Sequence, residues 1–262
     1  MASSFPSPSP CPKTTKPTIL FIEGAWRTLT AYDPFLAIVR ARGYELITPI
    51  LPSNTPAWST LENAPVDDIN RFASVARDLA DAGREFVCVM HSYGGAIGTE
   101  AMHGLGLAER RARGLDGGVT RLVYIAAFMV EVGKSLEDTA PASQIGWMGY
   151  EGDLKVFLPG YDIAGMWYND LPEDEQKRQL AQTIPHPKAG SFHKPKVVAY
   201  DKIPSTFVYC TMDNAFPYVV QRALVAAHKE KGIQVDEETV ETGHYPFLSR
   251  PEELADVVLK WC

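Results

Sequence analysis

Ser92 stands in the stretch Glu85-Phe86-Val87-Cys88-Val89-Met90-His91-Ser92-Tyr93-Gly94-Gly95-Ala96-Ile97-Gly98, where an apolar run turns abruptly into small residues. That reads as strand, sharp turn and helix, the layout of a nucleophile elbow. A serine there has its hydroxyl exposed above a sheet, and the helix's first N–H groups lie nearby to stabilise an oxyanion. The hydroxyl is a weak nucleophile. It needs a base within hydrogen-bond reach and a carboxylate that orients the base.

Six histidines could be that base. His103 and His228 fall in helical stretches and read as surface or interface residues. His186 and His193 sit among prolines, and His91 points away from its neighbour at the elbow. His244 alone occupies a loop directly after the last expected strand, framed by Gly243 and Pro246. Two carboxylates compete for the orienting role. Asp213 follows one strand and precedes Phe216-Pro217, whereas Glu131 follows another. The order Ser92, Asp213, His244 along the chain favours Asp213.

The elements that would carry these residues alternate. Thr18 to Ile22 is a continuous apolar run, expected as a strand buried on both faces, and it leads into Glu23-Gly24-Ala25-Trp26. A helix is expected from Tyr32 to Arg42, ending at Gly43, then a strand from Tyr44 to Leu51 and a loop from Ser53 to Pro65. The spacing of Ile69, Phe72, Val75, Ala76, Leu79 and Ala80 predicts a helix before the elbow strand, and another helix should run on from the elbow to about Arg113. Strands are expected at Val119 to Phe128, Ser205 to Cys210 and Gln234 to Val240, with helices at Pro217 to Lys231 and from Pro251 to Trp261. Such alternation implies an α/β fold, a mostly parallel sheet with helices on both faces, whose sites gather at the carboxyl ends of the strands.

Residues 130–201 interrupt that alternation. The segment is rich in aromatics and prolines, with a short helical stretch at Pro172 to Thr183, and reads as a helical cap inserted before the last two strands. The expected divisions are therefore a flexible tail at 1–17, a core at 18–129 and 202–262, and a cap at 130–201. The cap aromatics, Trp147, Tyr150, Trp167 and Tyr168 among them, could contact substrate or form the cap's own small core.

Length and composition narrow the classes of function. A chain of 262 residues with 45% hydrophobic residues can bury one large core. The formal charge of -7 and the lack of a basic run disfavour nucleic acid or an anionic membrane as partner. Cysteines at 11, 88, 210 and 262 show no metal-ligand spacing, and reduced thiols in a cytoplasmic setting are the simple expectation. The N-terminal stretch has no apolar segment that could serve as a signal peptide or membrane span.

The sequence from Thr18 to the C-terminus resembles the α/β-hydrolases. Within them it is similar to the plant methyl esterase and hydroxynitrile lyase group and to small fungal relatives. Phe21-Ile22-Glu23-Gly24-Ala25-Trp26 resembles their oxyanion turn, and Tyr124-Ile125-Ala126-Ala127-Phe128-Met129 and Tyr209-Cys210-Thr211-Met212-Asp213 resemble their later strands. The resemblance implies Ser92 as nucleophile, His244 as base, Asp213 as orienting acid, and the N–H groups of Ala25 and Tyr93 as oxyanion hole. Two departures stand out: Met90 replaces a small residue, and Glu23 replaces a histidine often found before Gly24-Ala25. The Glu23 carboxyl would oppose an oxyanion unless turned away, paired or protonated by burial; it reads first as a structural group bonded to loop N–H groups, and otherwise as a substrate-binding or proton-transferring carboxyl.

The expected activity is hydrolysis of a small hydrophobic carboxylic ester or lactone, aromatic or polyketide-like, with Glu23, Trp26, Trp147, Tyr150, Trp167 and Tyr168 as substrate contacts. No cofactor and no metal is expected, and formation of a homodimer is left open. The other readings are a lyase, isomerase or cyclase that uses His244 and Glu23 for proton transfer, and a ligand-binding protein without turnover.

Overall fold

The computed structural model describes residues 16–55 and 63–262. The flexible tail expected at 1–17 therefore lies outside the described residues up to 15, with Cys11 in it, as does the middle of the loop expected at Ser53 to Pro65. In chain order the first half forms β1 (Thr18–Ile22), α1 (Asp33–Ala41), β2 (Leu46–Ile47), α2 (Ala64–Asp81), β3 (Glu85–His91), α3 (Tyr93–Ala101), α4 (Leu107–Ala112) and β4 (Gly118–Ile125). Then come α5 (Leu136–Thr139), α6 (Ala142–Ile145), β5 (Met148–Glu151), β6 (Leu154–Phe157), α7 (Ile163–Trp167), α8 (Glu173–Leu180), β7 (His186–Pro187) and α9 (Ala189–Phe192). The chain closes with β8 (Ser205–Cys210), α10 (Tyr218–Glu230), β9 (Val235–Val240), α11 (Pro246–Ser249) and α12 (Pro251–Leu259).

Six strands form one sheet in the order β2-β1-β3-β4-β8-β9, and every pairing in it is parallel. The continuous apolar runs follow from burial on both faces. Leu20, Ile22, Cys88 and Met90 pack with Phe72 and Ala76 of α2 and Ile97 and Ala101 of α3. Ile19, Phe21, Val87 and Val89 face the other way, toward Phe35 and Val39 of α1 and Leu254 and Val258 of α12. The chain steps outward from β1 to β2 and then returns to the other side of β1 with β3. That reversal opens a crevice at the carboxyl ends of β1 and β3, where Glu23-Gly24-Ala25-Trp26 and Ser92 emerge side by side.

Several boundaries differ from the sequence expectation. The strand expected over Tyr44 to Leu51 shrinks to two residues, because Pro49 has no N–H for a ladder. The helix after the elbow breaks into α3 and α4 where Gly104 takes a φ of +72°. The strand expected to reach Phe128 stops at Ile125, since Ala126 has a φ of +41° and turns the chain beneath the elbow. There the Phe128 N–H donates to the Ser92 carbonyl at 3.2 Å.

Between β4 and β8 the inserted segment holds, besides its short helices, an antiparallel sheet in the order β5-β6-β7 that the reading of a helical cap did not include. Glu151-Gly152-Asp153 makes the β5–β6 hairpin turn, with Gly152 at a φ of +55°.

Candidate active site

Ser92 follows β3 directly, with a φ of +51° and ψ of -121°, a region that residues with a Cβ rarely occupy. Close packing beneath it keeps that conformation. A Cβ on Gly94 would come within 2.7 Å of the Ile22 carbonyl oxygen, so α3 can begin against the end of β1 only with glycine there. Met90, the departure from the usual small residue, is accommodated by Gly98 two turns into the same region, where any Cβ would overlap the Met90 sulfur. The long side chain thus fills space that Gly98 leaves, and Met90 is fully buried.

The three dispersed residues converge. His244 Nε2 lies 3.2 Å from Ser92 Oγ, and His244 Nδ1 lies 2.6 Å from Asp213 Oδ2. Asp213 is held on all sides: its Oδ1 accepts from the N–H groups of Ala215 and Phe216, each at 2.8 Å, and its Oδ2 also accepts from Gln221 Nε2 at 3.2 Å. Glu131, the competing acid, is elsewhere, paired with Lys231 at 2.5 Å and Lys134 at 3.3 Å. The Lys231 ammonium holds the Glu131 carboxyl below the usual range.

Ser92 and His244 come from strands that are not neighbours, so something must draw the β9 loop across. His91 does this, and sequence reasoning gave it no role. It is buried, and burial keeps the ring neutral by lowering its pKa well below the usual value. Its Nε2 donates to the His244 carbonyl at 2.9 Å, which leaves Nδ1 to accept from the Tyr32 hydroxyl at 2.9 Å. That hydroxyl in turn accepts from the Gly24 N–H at 2.8 Å. One chain of hydrogen bonds thereby ties the turn after β1 to the backbone of His244. A buried His directly before the elbow serine, with a Tyr in the preceding segment, was the available signal.

The insertion braces both loops. Asn169 Nδ2 donates to the Met212 carbonyl at 2.8 Å, and the Gly243 N–H donates to Asp170 Oδ2 at 2.9 Å. On the other side the Ile184 N–H donates to the Trp26 carbonyl at 3.0 Å, and Arg27 Nη2 reaches Gln179 Oε1 at 2.6 Å. Trp26, at a φ of +64°, packs its ring 5.4 Å from Trp167 and 5.9 Å from Trp147.

A cavity of about 310 Å³ opens over Ser92 and His244. Of the residues expected at the site, Ala25, Trp26, Tyr93, Trp147 and Trp167 line it. Neither the Ala25 nor the Tyr93 N–H has a backbone acceptor among the described residues. Lys155 and Tyr245 also line it, and the sequence reading had missed both.

Tyr150 and Tyr168, expected as substrate contacts, are not in the cavity lining, and Glu23 takes the structural position rather than the substrate-binding one. Tyr150 stands behind the wall, donating its hydroxyl to Glu137 Oε2 at 2.6 Å, and Tyr168 is buried against Tyr245 with ring centroids 4.9 Å apart. Glu23 is wholly buried beside the turn, not in the cavity lining. Its Oε1 accepts from the Leu51 N–H at 2.7 Å, and its Oε2 has no hydrogen-bond partner among the described residues. Desolvation raises its pKa to about 8, so at neutral pH the group is largely an uncharged acid and does not oppose negative charge near Ala25.

A stability prediction follows. The Glu23 pKa is raised in the folded chain from an ordinary 4.5 to about 8, so folding takes up a proton between those values and stability falls as pH climbs through that window. Glu23→Gln carries no such proton. The variant should match the native protein near pH 5 and exceed it at pH 9 by roughly 3–5 kcal/mol. Denaturant midpoints measured from pH 5 to 9 check this, and curves that stay parallel would refute the assignment. Asp68, whose pKa burial raises to about 6, tilts both curves in the same direction, and its charge adds to the Glu23 shift only as the smallest of the contributions.

Among the described residues no three His, Cys, Asp or Glu side chains form a group that could hold a metal ion, and no helix is long and apolar enough to cross a membrane.

A parallel sheet flanked by helices, with a serine on a strained turn after its third strand and a histidine and aspartate after its last two, defines the α/β-hydrolase class. The chain belongs to the alpha/beta hydrolase family, whose sequence pattern matches residues 19–257. It is 33% identical over 255 residues to a probable hydrolase of the fungus Phoma, covering 93% of this chain and 97% of that one. It is 25% identical to a pyrethroid hydrolase of Sphingobium wenxiniae, covering 92% and 85% of the two chains. Among solved structures, a methylesterase from Arabidopsis superposes with a TM-score of 0.70 at 19% identity, covering 94% of this chain and 98% of that one, a likeness of fold.

Proposed function

We propose that the protein is a serine hydrolase acting on a small hydrophobic carboxylic ester or lactone. The observation that carries this reading is the line from Ser92 Oγ through His244 to Asp213, opening on a largely apolar cavity. Ser92 Oγ attacks the carbonyl carbon and its proton passes to His244 Nε2, which delivers it to the departing alkoxide. Water then attacks the acyl group, giving up a proton to the same nitrogen. The Ser92–acyl bond breaks, the proton returns to Ser92 Oγ, and the carboxylic acid leaves. The N–H groups of Ala25 and Tyr93 receive the oxyanion in both halves.

Residues 130–201 serve as the cap that selects substrate, through Trp147 and Trp167 above the serine. The cavity volume lies at the small end of the range for ligand sites, which suits a substrate of about one or two rings. Proton-transfer chemistry assisted by Glu23 is set aside, because that carboxyl does not line the cavity.

The test uses 4-nitrophenyl esters of short and aryl acids together with a fluorophosphonate probe. Steady turnover, abolished in step with a covalent adduct on Ser92, is the expected result. Turnover that persists in fully labelled protein would remove the acyl-enzyme reading.

A further inference from the structure

Lys155 sits in the middle of β6, paired with Tyr150 on one side and His186 on the other, and its side chain turns inward. The residue is 6% exposed and lines the cavity over Ser92. Its ammonium lies 4.9 Å from the centre of the Tyr93 ring and 5.3 Å from that of Trp26, the two residues flanking the oxyanion turn and the elbow. Among the described residues it has no hydrogen-bond acceptor and no ion-pair partner. The carboxylates whose charge it feels are engaged elsewhere: Asp68 with the Ser53 N–H and the Tyr93 hydroxyl, Glu137 with the Ala142 N–H and the Tyr150 hydroxyl. His186 beside it is held neutral by burial and by the lysine's own charge.

A lysine at a protein surface carries its charge to water along an apolar stem. Here the charge points into a pocket walled by Phe128, Leu136, Trp147, Met148, Trp167 and Phe216. The two aromatic faces offset only part of the desolvation of an ammonium. The shortfall shows as a pKa lowered to about 7. A neutral oxygen acceptor from a ligand would give a hydrogen bond but leave the charge uncompensated; a carboxylate supplies both.

Building on the reading of this cavity as the substrate site, we infer that Lys155 determines specificity by binding a carboxylate that the substrate carries in addition to the bond attacked by Ser92. The preferred substrate class is then the half-ester of a dicarboxylic acid, or a lactone bearing a free acid, with an apolar body between the tryptophans. The aromatic lining takes the body and the single cation fixes its orientation.

The test uses ligands that the enzyme does not cleave. N-phenyl half-amides of succinic, glutaric and adipic acid are compared by calorimetry with the matching terminal primary amides, on native protein and on Lys155→Met. The expected result is that at least one acid binds native protein tenfold or more tighter than its amide, and that Lys155→Met loses the difference. Two results would overturn the inference: no acid in the series outbinding its amide on native protein, or a preference that survives in Lys155→Met, which would place the carboxylate on the oxyanion N–H groups instead. The native comparison decides even if the variant fails to fold. Because no acyl transfer is involved, failure to turn over 4-nitrophenyl esters would remove the hydrolase reading and leave this result standing.

Discussion

Ser92→Gly is expected to abolish turnover and to make the protein more stable, two effects with separate causes at one residue. Loss of the hydroxyl removes the nucleophile, and kcat should fall on the order of 10⁴ to 10⁶-fold. The stabilisation comes from the backbone. Ser92 occupies a φ of +51° with ψ of -121°, which costs a residue with a Cβ about 1–3 kcal/mol and costs glycine little. Set against the extra entropy that glycine loses on folding, a net gain of about 1 kcal/mol remains, or about 2–4 °C in Tm for a chain of this size. Ser92→Ala separates the two causes, since it removes the same hydroxyl but keeps the Cβ. Both variants should be inactive, and only the glycine variant should melt higher. Equal melting temperatures for the two would limit the strain stored at the elbow to no more than the roughly 0.5–1 kcal/mol that glycine costs in folding entropy.

The three dispersed residues that the fold brings together share a local signature. Ser92 and Asp213 follow short, largely apolar runs and His244 follows the alternating edge strand Val235–Val240, and all three strands belong to a parallel sheet whose carboxyl ends crowd together. Their positions after strands singled them out, and chain order favoured Asp213 over Glu131. Glu23 also follows such a run, and its side chain turns into the interior toward Leu51, as the reading of a structural carboxyl bonded to loop N–H groups expected, although Ile22-Glu23-Gly24 alone does not tell which side of the turn a carboxyl will take. Lys155 was hidden for a different reason. In Leu154-Lys155-Val156-Phe157 a charged residue alternates with apolar ones, the usual pattern of a strand with one face in water, but the insertion folds that face onto the cavity. Tyr150 and Trp147 are equally aromatic and close in sequence, and only the β5 hairpin decides that one lines the wall and the other stands behind it. Met90 violated the usual elbow pattern, and the compensation lies at Gly98, a relation visible only once strand and helix are packed.

Asp213→Asn is expected to lower kcat about 10⁴-fold while leaving substrate affinity close to native. The reasoning starts from the hydrogen bonds. Oδ1 accepts from two backbone N–H groups, so an asparagine must keep its oxygen there and present its NH2 where Oδ2 now faces His244 Nδ1. Donating to Nδ1 forces the imidazole proton onto Nε2, the nitrogen 3.2 Å from Ser92 Oγ. An N–H in that position cannot take the serine proton, so the base is lost although every atom stays in place. The fold should survive, because the amide oxygen keeps both backbone N–H contacts and Gln221 Nε2, which loses Oδ2 as an acceptor, still donates to the Phe216 carbonyl. Glu131→Gln is the control: that carboxyl is engaged with Lys231 and Lys134, and its replacement should change kcat by less than about twofold, as expected for a surface ion pair. A large loss in the Glu131 variant with normal activity in the Asp213 variant would mean that the orienting acid has been misidentified. Partial rescue of Asp213→Asn at high pH would fit the same account, since hydroxide can replace the missing base in removing the serine proton.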